Sequence, residues 1–75
     1  MGDTVRNDVR KLRFLHDEMT QEELAARTGV SRQTVIAIEK GKYNPSVALA
    51  LRIAGVFGVP VEQVFFLEDD GRGRV

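Results

Sequence analysis

Residues 20–41 read TQEELAARTGVSRQTVIAIEKG, and their interpretation decides the fold of this 75-residue chain. At helical spacing Leu24, Ala25 and Thr28 share one face, and Val35 and Ile38 share another. Between them stands Gly29-Val30-Ser31, too short for a loop and too sharp for an unbroken helix. Glycine enters the left-handed conformation that ends a helix at little steric cost. A serine hydroxyl caps the next helix by accepting a bond from an otherwise unpaired backbone N–H. Val30 is placed to plug the corner, and Ala25 is small where steeply crossed helices approach most closely. Two short helices joined in this way form a helix-turn-helix. Thr20 and Glu23 form a capping box, in which each side chain bonds the other's backbone N–H, and Met19 with Leu24 suits a hydrophobic staple. The stretch predicts helices over 21–28 and 32–40, the second closed by Gly41.

Upstream, Val5, Val9, Leu12 and then Leu15 or His16 recur at three and four, predicting a first helix over 5–17. Phe14 lies off that stripe and is expected to be partly buried, and His16 to be a solvated or helix-end side chain. Downstream, GKYNP at 41–45 is a turn-rich connection. Ser46 caps a fourth helix over 47–57, with Val47, Ala50, Leu51, Ala54 and Phe57 on its apolar stripe, widened by Leu49 and Ile53. Gly58 ends it, and Val59-Pro60 leads into a last short helix over 61–66. Residues 1–4 read as a loose terminus, and residues 68–75 as a mobile, acidic, glycine-rich tail. Repeats and strand-like alternation are absent from this reading. The expectation is an all-α fold: one domain over 1–75, a compact five-helix bundle with its ordered core at about 5–67.

Hydrophobic residues make up 43% of the chain, enough for a small core. With no cysteine there are no disulfides or thiolate metal sites, and the single His16 has no companions at metal-ligand spacing. No metal or cofactor is expected. The charged N-terminus lacks an apolar signal core and no apolar run is long enough to span a membrane, so a cytoplasmic location is expected. No nucleophile–base pair or phosphate-binding glycine loop points to an enzyme. Net charge is formally zero, an unusual balance for a nucleic-acid binder. The charge is unevenly spread: Arg6, Arg10, Lys11 and Arg13 make the N-terminal segment basic, and Glu68, Asp69 and Asp70 gather acid near the C-terminus. DNA binding by such a chain leans on placed donors and backbone amides more than on bulk charge.

A helix-turn-helix lays its second helix in the major groove, with that helix's N-terminal side chains against base edges. Here those are Ser31, Arg32, Gln33 and Thr34, followed one turn later by Ile36 and Ala37, while Val35 and Ile38 face the core. Arg32 can present two parallel donors to guanine, Gln33 can donate to and accept from adenine, and Ile36 and Ala37 can pack on thymine methyls. Arg32, Gln33, Thr34, Ile36 and Ala37 are therefore the expected base readers. Gln21, at the N-terminus of its helix, is expected on phosphate. Ser31, Lys40, Lys42, Tyr43, Asn44 and the amides near Gly41 are expected to grip the backbone as well, positioning the protein without reading sequence.

The quoted stretch extended to TQEELAARTGVSRQTVIAIEKGKYNPS, with LALRIAGVFGVPVEQVF after it, resembles the lambda-repressor-like, Cro-type helix-turn-helix transcription regulators, the xenobiotic-response-element family. The resemblance covers about residues 9–68. It implies a five-helix bundle and usually a homodimer on a two-fold-related operator of double-stranded DNA, with contacts at the residues matching Gln21, Arg32, Gln33 and 41–44. It also implies an ion pair between Arg13 and Glu39, tying the first helix to the third. The segment LRFLHDEMT at 12–20 is one residue longer than the family pattern, with Glu18 as the insertion. For the dimer, Val61, Val64, Phe65, Phe66 and Leu67 are the spare apolar surface, with Leu49 or Ile53 nearby. The rival reading keeps the fold and changes the use: a protein-interaction module, such as an antitoxin bound to a toxin partner.

Overall fold

The structure, a computed structural model, describes residues 4–68. The expected tail beyond Glu68, and all of the expected loose terminus but Thr4, lie outside the described residues. Strand β1 (Val5–Asn7) leads into α1 (Val9–Leu15), α2 (Gln21–Thr28), α3 (Arg32–Glu39) and α4 (Val47–Phe57). A single 3₁₀ turn at Val61–Gln63 and strand β2 (Phe65–Leu67) follow.

The five-helix, all-α expectation is therefore corrected to four helices with a two-stranded antiparallel sheet. Val5 pairs with Leu67, Arg6 with Phe66 and Asn7 with Phe65. Asn7 explains why helix does not begin at Val5. Its side-chain oxygen accepts from the Val9 amide at 3.1 Å, and its Nδ2 donates to the Ile38 carbonyl at 2.9 Å. The Asp8 amide donates to the Val64 carbonyl at 3.0 Å. These bonds start the helix at Val9 and hold the preceding residues against the end of the chain. The expected helix over 61–66 shrinks to one turn after Pro60, because Phe65, Phe66 and Leu67 take up the ladder with β1 instead.

Serines cap α3 and α4. Ser31 accepts from the Thr34 amide and Ser46 from the Leu49 amide, both with extended backbone at the cap. Thr20 accepts from the Glu23 amide at 3.0 Å, but only this arm of the capping box forms. The Glu23 carboxylate turns instead to Arg27, one helical turn on, at 2.7 Å. Gly29 sits at φ +78°, where a side chain would be strained, and closes α2 by donating to the Ala25 carbonyl at 2.9 Å. The α1–α2 connection makes the same kind of turn without glycine: Asp17 and Glu18 lie at φ 57° and 53°. Each costs about 1–2 kcal/mol in that region.

The core gathers around Leu24, Val35, Ile38, Ile53, Val9 and Val64, all essentially inaccessible. Each large side chain buried in this way contributes about 1.5–3 kcal/mol. Leu49, Ile53 and Phe57, at four-residue spacing, form the inward row of α4 together with Ala54. This corrects the expected stripe, because Val47 is 76% and Leu51 54% exposed. Phe14, expected to be partly buried, is 53% exposed. His16 is at the end of α1 but is half-buried rather than solvated. Its Nδ1 lies 2.9 Å from the Leu12 carbonyl oxygen and its Nε2 3.0 Å from that of Phe57, stapling the C-terminal ends of α1 and α4. The neutral ring donates to one of these acceptors, and only the imidazolium to both.

Candidate nucleic-acid interface

Val35 and Ile38 lock the inner face of α3 into the core, 1% and 2% exposed. That fixes the rotation of the helix, so Arg32 and Gln33 stand outward at its N-terminal end. Neither makes an intramolecular side-chain hydrogen bond or ion pair among the described residues. Thr34, Ile36 and Ala37 are half-buried, so the outer face of α3 passes from polar and exposed to apolar and recessed within a turn. The Thr34 hydroxyl is 3.1 Å from that of Ser31, and the Ser31 hydroxyl also caps the helix at 3.2 Å. When the Thr34 hydroxyl is the donor of that pair, the Ser31 hydroxyl hydrogen is left to bond a phosphate oxygen.

The other end of α3 is held by charge. Arg13 Nε donates to one Glu39 oxygen at 2.6 Å and Nη2 to the other at 3.1 Å, while Nη1 donates to the Met19 carbonyl at 2.8 Å. Both side chains are about nine-tenths buried. The left-handed pair Asp17-Glu18 carries the chain back to Met19, whose amide donates to the Arg13 carbonyl at 2.9 Å. Gln21 joins the same group: its Nε2 donates to Glu39 at 3.1 Å. One amide hydrogen of Gln21 thus serves Glu39, leaving the second and the exposed end of α2 toward solvent.

Lys40, Lys42, Tyr43 and Asn44 are all exposed along the connection to α4. The amides near Gly41 are not free, contrary to expectation. Gly41, at φ +75°, donates to Ile38 at 3.0 Å, and Lys42 donates to Ala37 at 2.9 Å. This pair of bonds satisfies the last carbonyls of α3 and withdraws those two amides from any phosphate. Between α1, the start of α2 and α3 lies a recess of about 700 Å³ whose wall includes Arg10, Gln21, Arg32, Ile36 and Lys40.

The sequence profile of the HTH_3 family, helix-turn-helix, matches residues 10–64 of this chain. The chain belongs to the HTH_3 helix-turn-helix family. This is the Cro/C1-type family of DNA-binding transcription regulators. An uncharacterized HTH-type transcriptional regulator of Methanocaldococcus jannaschii is 56% identical over 66 residues, spanning 88% of this chain and 98% of that protein. The cryptic phage CTXphi transcriptional repressor RstR of Vibrio cholerae is 36% identical over 56 residues, 75% of this chain and 50% of that one. Among solved structures, a hypothetical transcription factor from Neisseria superposes with a TM-score of 0.65 at 31% identity, covering 73% of this chain and 62% of that chain.

Within this helix-turn-helix protein the residues expected at a dimer contact divide. Val64 is wholly buried in the core, so it is not available to a second subunit. Leu49 and Ile53 are excluded for the same reason, at 4% and 1% exposed. Val61 and Phe65 are half-buried, and Phe66 and Leu67 are exposed at the sheet edge. Val47 and Leu51, expected on the apolar stripe of α4, project from its outer face. They flank an apolar recess of about 230 Å³ with Val5, Pro45, Val61 and Phe65. No helix among the described residues is long and apolar enough to cross a membrane.

Proposed function

We propose that this helix-turn-helix protein is a sequence-specific double-stranded DNA-binding repressor of the cytoplasm, reading the major groove with α3 as a homodimer on a two-fold-related operator. One observation carries the reading: Arg32 and Gln33 stand exposed beyond the Gly29 corner, without intramolecular side-chain partners among the described residues, on a helix whose opposite face is fixed in the core. Arg32 is the guanine reader and Gln33 the adenine reader, each bidentate contact giving about 1–3 kcal/mol of discrimination. Thr34 comes next along the helix, and Ile36 and Ala37 follow against thymine methyls. Gln21, Lys40, Lys42, Tyr43 and Asn44 position the duplex through phosphate. The repressor assignment is supported by the likeness to the Vibrio phage repressor.

The second copy sits on the outer face of α4, where Val47 and Leu51 join Val61, Phe65, Phe66 and Leu67. No charged side chain lines the apolar recess there, so two copies meet without like-charge opposition. Dimerisation places two α3 helices about 34 Å apart, one turn of DNA. The neutral net charge and the exposed Phe66 and Leu67 favour one other reading, an interaction module such as an antitoxin bound to a protein partner. Selection of bound duplexes from a random pool separates the two. A regulator enriches a two-fold-related sequence bound by two protomers; a pure interaction module enriches none and instead co-purifies with the product of a neighbouring gene.

A further inference from the structure

We propose that Arg10, held over the exposed ring of Phe14 on α1, is an additional DNA-phosphate contact, so that the DNA footprint extends beyond α2 and α3 onto the first helix. The inference rests on the DNA-binding reading and adds to it a residue that none of the helix-turn-helix contacts includes. Arg10 and Phe14 are four residues apart on the exposed side of α1, and the guanidinium carbon lies 5.7 Å from the ring centroid. The Phe14 ring is 53% exposed. Here its face attracts the guanidinium and limits the orientations it explores, so less freedom is lost when a phosphate is bound.

The surroundings point the same way. Arg10, Arg32 and Lys40 all line the 700 Å³ recess, and none of the three has an ion-pair partner among the described residues. The two other ionised groups near its floor, Arg13 and Glu39, neutralise each other. Glu22 is the one remaining carboxylate on the wall, so the recess carries excess positive charge even though the whole chain is neutral. The same recess is bounded by Arg32 and Ile36 of α3 and by Gln21 at the start of α2. A duplex that receives α3 in its groove brings its flanking phosphates across this opening, within reach of Arg10. A guanidinium is suited to that contact because its planar fork can bond two phosphate oxygens at once.

The test measures duplex affinity of the intact chain by fluorescence anisotropy from 50 to 300 mM salt, using a labelled 24-base-pair duplex taken from the selection and a scrambled duplex of equal composition. Arg10→Gln is expected to weaken both duplexes about three- to tenfold at the low-salt end and to flatten the slope of log affinity against log salt by about 0.9, one phosphate's worth. Phe14→Leu retains the charge, so it should weaken both duplexes less and leave the slope unchanged. Arg52→Gln, an exposed cation on α4, should change neither affinity nor slope. Unchanged melting of Arg10→Gln by circular dichroism confirms that folding is not the cause. A wild-type chain that binds while Arg10→Gln matches it in affinity and slope overturns this proposal alone. Absence of binding to any duplex by the wild-type chain overturns it together with the reading on which it rests.

Discussion

Helices α3 and α4 begin alike and present opposite chemistry to the outside. Each follows a serine whose hydroxyl accepts from the third amide on, and each drives an apolar row into the shared core. The outer face of α3 then opens with Arg32 and Gln33, whereas that of α4 carries Val47 and Leu51. Their anchoring differs too. The C-terminal end of α3 is clamped by the buried Arg13–Glu39 pair, while α4 is held by Leu49, Ile53 and Phe57 with no ion pair among the described residues. Identical capping and similar burial therefore say how a helix is held and nothing about what it meets. The outward residues differ in kind: hydrogen-bonding groups on α3, which we propose for base edges, and apolar ones on α4, which we propose for a second copy.

The largest effect is expected where α3 is clamped. Arg13→Met leaves the Glu39 carboxylate buried without its partner and should lower unfolding free energy by about 3–5 kcal/mol in urea denaturation. Replacing both, Arg13→Met with Glu39→Leu, should recover most of the loss, since an apolar pair of similar volume needs no compensation. If the double variant is as unstable as the single one, the loss does not come from the stranded Glu39 carboxylate.

Next comes the outer face of α4. Leu51→Glu should weaken self-association by about 2 kcal/mol or more, as a central apolar anchor does when a charge replaces it. Sedimentation is expected to show dimers of the parent chain and protomers of the variant, with monomer stability within about 0.5 kcal/mol because the side chain is exposed. Unaltered sedimentation would remove α4 from the interface. The two serine caps test the likeness between the helices: Ser31→Ala and Ser46→Ala should each cost about 1 kcal/mol in thermal unfolding. The smallest effect is a control lying on neither helix. Glu18→Gly relieves one left-handed residue and should raise stability by about 0.5 kcal/mol, the strain relief partly offset by glycine's greater entropy loss. It should leave self-association and DNA affinity as they were.

The part of the fold legible in the sequence is the part encoded locally. Thr20, Gly29, Ser31, Gly41 and Ser46 act within a few residues of themselves, and the boundaries of α2, α3 and α4 follow from them. The sheet escaped because its strands are three residues long and about sixty residues apart in the chain, too short for any alternation to register. Asn7 looked like an interior residue of a helix because its partner, the Ile38 carbonyl, belongs to a distant element. α4 misled in phase: it is apolar on nearly every side, so Val47 and Leu51 were indistinguishable by type from Leu49 and Ile53.

At the candidate site, the exposure of Arg32 and Gln33 follows from the burial of Val35 and Ile38, which the sequence pattern contains. The Arg13–Glu39 pair came through family resemblance alone, since nothing in residue type separates a buried arginine from a solvated one. The use of the Gly41 and Lys42 amides by the helix itself depends on backbone geometry that composition does not reveal.

The most direct measurement repeats the selection from a random duplex pool with the Arg32→Ala variant beside the parent chain, both first shown to melt at the same temperature. The parent is expected to enrich a two-fold-related sequence with a strongly preferred guanine in each half, and the variant to lose preference at that base pair while keeping the others. An identical enriched sequence from both proteins would contradict the claim that the outward arginine at the start of α3 reads DNA.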